Sequence, residues 1–523
     1  MNKLQIERKK RLSQSLIWDL QRQYFNEQGV NAWVGAVPYF VTSNCYAAEC
    51  YANVMMNFIV DWVSLHQEAR NETFYILELG TGPGQFSFYV LKKINELKTA
   101  LKLEDVHIQY IMTDVTDSNI KFWEKQKVFQ PFLENGMLDF AIFNIEEDKP
   151  PYLIHAKRKL LSNAIKTPVI AFANYLFDSV TNDVFRIVDG KVQELRVSLY
   201  TEASNMSKGR PVAASKVDIE YHACHISDKC YDDEQIEAVF KKISSEMSNT
   251  YLLMPIGALK GMKALNHLSN GKLVLIASDK GYTNARSLDN LGKPHIATHG
   301  SCISLMVNFY AIQSYFKQLG GNYYLQTPRR GIKTVVCYLG MDLTTKDYSC
   351  TQAALEQYVQ SFSLADYFLL HRHITATDAP LDLGLAAAHL KLAGYDPYVY
   401  SKLSKRIQQA FENAEYVDKM SFKPILPKIA ETYYFMPKSH DTNFDIALFY
   451  HSLKDYTKAL EYYDKSRAYF GPTYNVYYNS ALCAYYAGDT QKALDYFKRA
   501  SSINPSTKEA QEWMMYLGEE EKG

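Results

Sequence analysis

The sequence has no excess of charge of either sign and no long hydrophobic run. Lysine plus arginine and aspartate plus glutamate number 57 each among 523 residues, so bulk charge favours neither nucleic acid nor an anionic membrane as a partner. No apolar stretch reaches the roughly 18 residues that a membrane-spanning helix needs. The eight cysteines are scattered, which is typical of thiols in a reducing compartment and not of a disulfide framework. We therefore expect a cytoplasmic protein without a nucleic-acid or membrane partner.

The N-terminal part of the chain is predicted to be helical. The stretch "MNKLQIERKKRLSQSLIWDLQRQYF" is basic, and we expect an uncleaved helix here, because Glu7 and Asp19 are unusual in a mitochondrial presequence. Residues 15–66 are predicted to be mainly helical, with an extended break at 37–44. A chain of this length exceeds one ordinary hydrophobic core, so we expect two or three domains.

Strand-like and helix-like segments alternate from residue 74 to about residue 345. The strand candidates are "FYILELG", "VHIQYIMTDV", "MLDFAIFNI", "PVIAFANYLF", "KLVLIASDKGY" and "KTVVCYLG". A helix over 118–134 separates the second candidate from the third. This alternation predicts an α/β fold with a parallel, Rossmann-like sheet and helices on both faces. Asp189-Gly190 lies between two further strand candidates and predicts an added antiparallel hairpin.

Three glycines directly follow the first strand candidate. Gly80, Gly82 and Gly84 come after Glu78 in "ELGTGPGQF", and a backbone without Cβ atoms at a strand end allows a ligand to approach closely. Dinucleotide folds use G-x-G-x-x-G, but Gln85 stands where the third glycine would lie. The acid before the glycines favours S-adenosylmethionine, whose amino-acid part needs a carboxylate acceptor. A nucleotide and a purely structural turn are the alternatives.

An acid at the end of the next strand candidate supports the same ligand. Asp114 ends "IQYIMTDV", where its two oxygens would accept hydrogen bonds from both ribose hydroxyls. Asn144 and Ile145 follow the third strand candidate and would supply a polar contact and an apolar wall for adenine. The predicted cofactor site comprises Glu78, Gly80, Thr81, Gly82, Gly84, Asp114, Asn144 and Ile145.

The last eighty residues contain an internal repeat. "DYTKALEYYDKSRAYFGP" matches "DTQKALDYFKRASSINP" at a spacing of 34 residues, which is typical of tetratricopeptide repeats. Ala459 and Ala493 occupy equivalent positions, where paired helices would approach closely. Such repeats predict a protein partner. Helices between 350 and 440 are expected to be degenerate repeats or caps that complete the stack.

One cluster of metal-ligand residue types is interpreted as structural. His222, Cys224, His225 and Cys230 lie within nine residues, but their spacing matches neither a zinc finger nor a zinc ribbon. We expect a strand and a loop there, and we predict no metal site.

Several segments between about 30 and 345 resemble, in the same order, those of one family. "PYFVTSN" resembles the family's "GDFITSPEISQ", "LELGTGPGQFS" its "ELGPGRGTL", "IAFANYLFDSV" its "ANEFFDALP", and "DKGY" its "DYGY". The family is that of the MidA-like methyltransferases, which includes a mitochondrial complex I assembly factor that methylates an arginine of a partner subunit. The resemblance implies a class I methyltransferase fold and S-adenosylmethionine as the cofactor.

The resemblance also implies positions for the acceptor side of the site. Asp178 would orient or deprotonate the acceptor, or would satisfy backbone amides at a helix start. Asn174 would contact cofactor or acceptor, or would only close its strand. Thr42 and Ser43 match a family threonine-serine pair that would contact the acceptor substrate or the cofactor, with capping of the next helix as the alternative.

The acceptor side departs from the family at several positions. Tyr175 replaces the glutamate of "NEFFD", and Asn44-Cys45 replaces the proline-glutamate after the threonine-serine pair. Carboxylates hold the positive charge of a guanidinium acceptor, so their loss weakens catalysis on arginine. Tyr175 would stack on a planar acceptor or would pack in the core.

These patterns together predict three regions. They are a methyltransferase-like domain at 1–345, a helical connector at 346–435 and an all-α region of tetratricopeptide repeats at 436–523. The predicted function is S-adenosylmethionine-dependent methylation of a protein recruited by the repeats. The alternatives are a catalytically silent scaffold that binds the cofactor and a small-molecule methyltransferase. The sequence predicts neither the acceptor nor the oligomeric state.

Overall fold

The computed structural model describes residues 3–34, 39–206, 212–226, 229–327, 330–376 and 379–520. The chain divides into two compact units, 1–370 and 371–523, and the division falls within helix Leu364–Thr375. The three-part division at residues 345 and 435 stays a prediction. Among the described residues, no helix combines the length and the apolar character that crossing a membrane requires.

A central sheet organises the first unit. Its seven principal strands, labelled β1 to β7 in chain order, are Thr73–Glu78, His107–Asp114, Leu138–Ile142, Val169–Asn174, Leu273–Tyr282, Asn322–Leu325 and Ile332–Leu339. They are ordered β3-β2-β1-β4-β5-β7-β6. Strands β1 to β5 are parallel, and β7 runs antiparallel to both of its neighbours. This order, with one reversed strand next to the edge, is that of the class I methyltransferase fold.

The parallel sheet predicted from the alternating segments is therefore confirmed. Side chains such as Leu77, Ile111, Ala171 and Leu275 are completely buried, as expected for strands that are covered on both faces. Strand β6 was not predicted, because its four residues "NYYL" carry no clear apolar pattern and only their pairing with β7 makes them a strand.

An antiparallel sheet adjoins the central sheet within the first unit. Its strands are Lys3–Arg11, Asp183–Val188, Lys191–Glu202, Asp218–Cys224 and Thr250–Met254. The hairpin predicted at Asp189-Gly190 is confirmed, since Val188 pairs with Lys191. The helix predicted from the first residue onward is wrong over residues 3–11, which pair with Lys191–Glu202 at the sheet edge. The charged side chains that suggested a helix suit an exposed edge strand equally well.

Helices cover both sheets of the first unit. They include Leu16–Gln28, Cys45–Leu65, Gln85–Ala100, Asp117–Glu124, Gln130–Glu134, Glu234–Ser245, Ile256–Leu268, Phe309–Gln318 and Ser349–Leu355. Two local predictions are corrected. The helix expected over 118–134 is divided into two. The extended break expected at 37–44 contains the short helix Tyr39–Thr42, while residues 37 and 38 lie outside the described residues.

The described part of the second unit is helical. From residue 383 its helices are Leu383–Leu392, Pro397–Asn413, Tyr416–Phe422, Ile425–Glu431, Thr442–Ser452, Tyr456–Phe470, Tyr474–Tyr486, Thr490–Ile503 and Lys508–Glu520. Asp455 and Asp489 are 34 residues apart, and each caps the second helix of a pair through its carboxylate. Ala459 and Ala493 are completely buried, which confirms the close helix approach expected at these positions.

Candidate functional site

A cavity of about 670 Å³ lies within the first unit, at the carboxyl ends of β1, β2 and β4. The predicted site residues that line it are Ser43, Glu78, Gly80, Thr81, Gly82, Asp114, Asn144, Ile145, Asn174, Tyr175 and Asp178. Parallel strands end at the same edge of a sheet, so residues far apart in the sequence meet here. Thr42 belongs to a described helix, but its side chain is outside the described part of the structure. Gly84 begins the helix Gln85–Ala100 with φ of 85°.

The glycine turn requires two residues without side chains. Gly80 and Gly82 have φ of 64° and 61°, a region that side chains disfavour. A Cβ atom at Gly80 would lie 2.7 Å from Cδ1 of Leu176, and one at Gly82 would lie 2.8 Å from Cζ2 of Trp33. The glycines are therefore necessary here, but the groups that approach their backbone are side chains of this chain.

Asp114 holds the glycine turn in place. The residue is 6% exposed, and its carboxylate accepts four hydrogen bonds. Oδ1 accepts from the N–H of Thr116 at 3.0 Å and from its hydroxyl at 2.9 Å, while Oδ2 accepts from the N–H of Gly82 and from Nδ2 of Asn119, both at 3.0 Å. Burial raises the pKa of Asp114, and these donors oppose that rise. The four acceptor positions of a carboxylate are thus all used by the chain.

Glu78 is buried at the end of β1. Its Oε2 accepts hydrogen bonds from the hydroxyl of Ser87 and, at 2.8 Å, from the hydroxyl of Tyr110. Burial raises the pKa of Glu78 to about 7, against the effect of its hydrogen bonds. Thr81 ties the turn to β2, because its N–H donates to the carbonyl of Thr113 at 2.8 Å and its hydroxyl accepts from the N–H of Thr113 at 3.2 Å.

The loop after β3 forms another wall of the cavity. Asn144 accepts from the N–H of Glu146 at 3.0 Å and donates to Oε1 of Glu147 at 3.1 Å. Ile145 is 5% exposed and presents an apolar surface to the cavity. Glu146 also lines the cavity, where it accepts from the N–H and the hydroxyl of Thr181 at 3.1 and 2.7 Å.

Two carboxyl groups lie close together, that of Asp178 after the end of β4 and that of Asp279 within β5. Asp279 is 1% exposed, and its Oδ2 accepts from the N–H of Asp178 at 3.1 Å. Burial raises the pKa of Asp178 to about 7. Burial also raises the pKa of Asp279 well above its usual value, with the neighbouring Asp178 carboxylate as the next cause. Lys280 also lines the cavity. A carboxyl group that titrates near neutral pH is suited to exchanging a proton with an acceptor.

Tyr175 borders the cavity. Its φ of 52° is unusual for a residue with a side chain, and its N–H donates to the carbonyl of Ser278 at 2.9 Å. Burial raises the pKa of its hydroxyl, followed by the effects of Asp279 and Asp178. The phenol is therefore neutral at physiological pH and carries no charge to pair with a cationic acceptor.

Several cavity residues were not identified from the sequence. They are Trp33, Glu146, Leu176, Lys280, His295, His299 and Met306. His299 belongs to a short hairpin, Ala297–His299 with Cys302–Ser304. No motif marks this hairpin, so no signal in the sequence alone shows that it faces the cavity.

The described residues contain no group of three or more His, Cys, Asp or Glu that is arranged to hold a metal ion. His222 and Cys224 lie on the strand Asp218–Cys224.

Residues 440–506 match the tetratricopeptide repeat family model. No curated protein matches the chain. The chain is similar to two solved structures of Burkholderia thailandensis proteins from one superfamily, of which the second is bound to S-adenosylhomocysteine. Their sequences are 11% and 12% identical to this chain. Each alignment covers 63% of this chain and 93% of the other, with a TM-score of 0.35.

A complex of DhpI with S-adenosylhomocysteine is 9% identical over 62% of this chain and 98% of its own, with a TM-score of 0.26. At these scores the structural comparisons add nothing to the fold assignment, which rests on the strand order. The chain thus combines a methyltransferase-type α/β fold with a C-terminal region of tetratricopeptide repeats.

Proposed function

We propose that this chain is an S-adenosylmethionine-dependent methyltransferase that acts on a protein partner recruited through its repeats. The observation that carries the proposal is the meeting of three acids in one cavity: Glu78 and Asp114, which end β1 and β2, and Asp178, which follows β4. Acids at these positions suit a ligand that has an ammonium group and a ribose, with an acceptor beside it. The relationship to the MidA-like family, and the cytoplasm as the compartment, are parts of the same proposal.

The residues of the cavity fit the cofactor. Glu78 would pair with the ammonium group, Asp114 would accept from the ribose, and Ile145 would pack against adenine. The backbone of the glycine turn would lie against the amino-acid part once the side chain of Trp33 has moved from Gly82. When bound, S-adenosylmethionine supplies a methyl group that its sulfonium has already activated.

Asp178 is the proposed proton acceptor. A neutral N–H or O–H nucleophile that gains a methyl group must lose a proton. Because burial raises the pKa of Asp178 to about 7, the carboxylate is able to take up that proton near neutral pH. Tyr175 would form the wall next to the acceptor in place of a carboxylate, so the proposal does not specify arginine as the acceptor.

The repeats are the proposed recruiting element. Tetratricopeptide repeats generally bind other proteins, and residues 440–506 match their family model. Aromatic side chains are exposed in the second unit, among them Tyr416 at 73% and Tyr486 at 51%. Exposed tyrosines are frequent in protein interfaces, which supports a protein partner.

A catalytically silent scaffold is the second candidate, and one observation favours it. All four acceptor positions of Asp114 are filled by the chain, as they would be if the carboxylate served only to fix the glycine turn. In that case the repeats would be the working part of the protein.

Calorimetric titration of the full-length protein with S-adenosylmethionine and S-adenosylhomocysteine is the first test. We expect both to bind, and an absence of binding would overturn the enzyme proposal. In the second test, cell lysate is incubated with methyl-labelled cofactor and one of three proteins: the wild-type chain, Asp178→Asn or Asp61→Asn. Asp61→Asn is the control, because Asp61 is a buried aspartate away from the cavity. A labelled protein band that Asp178→Asn alone loses supports protein methylation. Binding without any transfer supports the scaffold, and label in small molecules only supports a small-molecule acceptor.

A further inference from the structure

Thr116 lies at the start of a helix, but its hydroxyl does not cap that helix. It is the N-cap residue of Asp117–Glu124, and within the described turn its side chain caps no backbone N–H. A threonine in this position ordinarily accepts a hydrogen bond from an N–H of the first turn. Here the hydroxyl donates to Oδ1 of Asp114 at 2.9 Å and accepts from no N–H of the described first turn, so the helix lacks a side-chain cap.

Asn119 also donates a hydrogen bond to the carboxylate of Asp114. It is completely buried, and its Nδ2 donates to Oδ2 of Asp114 at 3.0 Å. Its Oδ1 is buried and has no hydrogen-bond partner among the described residues, which is a costly arrangement. Thr116 thus leaves the helix without a side-chain cap, and Asn119 leaves one buried oxygen without a partner among the described residues.

The four donors to Asp114 are of two kinds. Each oxygen accepts from one backbone N–H, that of Thr116 or Gly82, and from one side chain, that of Thr116 or Asn119. The backbone donors leave only if the chain moves, whereas the side-chain donors leave by rotation about single bonds. Rotation of both would open one acceptor position on each oxygen.

We propose that a vicinal diol binds Asp114 by exchange, one hydroxyl replacing Thr116 Oγ1 on Oδ1 and the other replacing Asn119 Nδ2 on Oδ2. The diol is the ribose of the cofactor, so this inference rests on the proposed function. The released hydroxyl of Thr116 then caps the helix Asp117–Glu124, and this new hydrogen bond offsets part of the one that is lost. Thr116 and Asn119 are thus specificity-determining residues that compete with the ribose.

Competition of this kind has an unusual consequence. Removal of a side chain that contacts a ligand weakens binding, and removal of a purely structural one weakens or does not change it. Removal of a competing donor strengthens binding, because the ribose hydroxyl no longer has to displace it. Thr116→Val keeps the shape of the side chain and the backbone donor, so it tests this difference directly.

The experiment measures the affinity of the full-length chain for S-adenosylhomocysteine by calorimetry. We expect Thr116→Val to bind about three- to tenfold more tightly than the wild type. The control is Thr351→Val, since Thr351 donates its N–H and hydroxyl to the buried Asp61 at 2.7 and 2.6 Å, away from the cavity. That control should leave the affinity unchanged. Asn119→Ala is the second variant and should also bind more tightly.

Nucleosides that lack one hydroxyl separate exchange from a general effect on the pocket. With adenosine, 2′-deoxyadenosine and 3′-deoxyadenosine as ligands, the gain from Thr116→Val should be present for adenosine and lost for one of the two deoxynucleosides. The exchange is overturned if Thr116→Val gains equally for all three nucleosides. It is also overturned if both variants bind more weakly than the wild type or equally well. Because the wild type still binds in either case, the proposed function would stand. If neither the wild type nor any variant binds S-adenosylhomocysteine or adenosine, the proposed function fails and the exchange fails with it.

Discussion

The N–H of Gly82 donates a hydrogen bond to Oδ2 of Asp114 at 3.0 Å. This contact joins the turn after β1 to the end of β2, and both residues line the cavity. The same carboxylate therefore shapes the glycine turn and is the proposed ribose acceptor. A change at either residue should affect both folding and ligand binding.

Asp114→Asn should weaken binding of S-adenosylhomocysteine about tenfold or more and lower the melting temperature. The asparagine side chain has one acceptor oxygen where aspartate has two. Its NH2 group would therefore face at least one of the four donors, and two donors form no hydrogen bond with each other. Asp61→Asn is the matched control, because Asp61 is a buried aspartate that also accepts from a threonine N–H and hydroxyl. Both variants should melt earlier, and only Asp114→Asn should lose affinity in calorimetry. Equal affinity in the two variants would contradict a ligand role for Asp114.

Gly82→Ala should destabilise the protein more than Gly190→Ala does. Both glycines have positive φ, 61° and 73°, so each substitution costs about 1 to 2 kcal/mol of backbone strain. A Cβ at Gly190 meets no atom within 4 Å, whereas one at Gly82 meets Trp33 at 2.8 Å. The difference between the two variants in urea denaturation measures the cost of displacing Trp33. If the two variants lose the same stability, displacing the indole ring of Trp33 has no free-energy cost.

The contribution of Glu78 and Asp178 to stability should decrease as the pH rises from about 4 to 7. Burial raises the pKa of both Glu78 and Asp178 to about 7, whereas in the unfolded chain such groups titrate near 4. Between these pH values the two folded carboxyl groups hold protons that the unfolded chain releases, so their contribution to the free energy of unfolding falls with increasing pH and levels off above 7. Urea denaturation at several pH values should show a shallower decrease for Glu78→Gln. The exposed Glu68→Gln should retain the wild-type slope, and an unchanged slope in Glu78→Gln would refute the assignment.

Ala459→Leu and Ala493→Leu should each destabilise the repeats by about 1 to 3 kcal/mol, because a larger side chain does not fit between close helices. Both alanines are completely buried. Ala468, on the same helix as Ala459, is exposed, so Ala468→Leu is the control and should change stability little. Thermal denaturation of the full-length chain measures the effect. The affinity for S-adenosylhomocysteine should stay at the wild-type value, since the cavity is lined by residues of the first unit only.

Much of the fold was predictable because its signals are local. Short apolar runs that alternate with helical patterns predict parallel strands, and Asp189-Gly190 predicts a tight hairpin. The 34-residue repeat similarly predicts helix pairs, which the buried Ala459 and Ala493 confirm. The misassigned segments have no such local signal. Residues 3–11 become a strand only because Lys191–Glu202 offers them an edge, and β6 forms only because β7 lies beside it.

The candidate site shows the same division. The sequence by itself determined that Glu78, Gly80, Gly82 and Asp114 would lie at one edge of the sheet, because strand ends and glycine spacing follow from neighbouring residues. Only the tertiary structure decided what approaches them. Trp33 covers Gly82, and Thr116 and Asn119 complete the contacts of Asp114. Such contacts depend on packing between segments and on competition among donors for one carboxylate, and local sequence patterns encode neither.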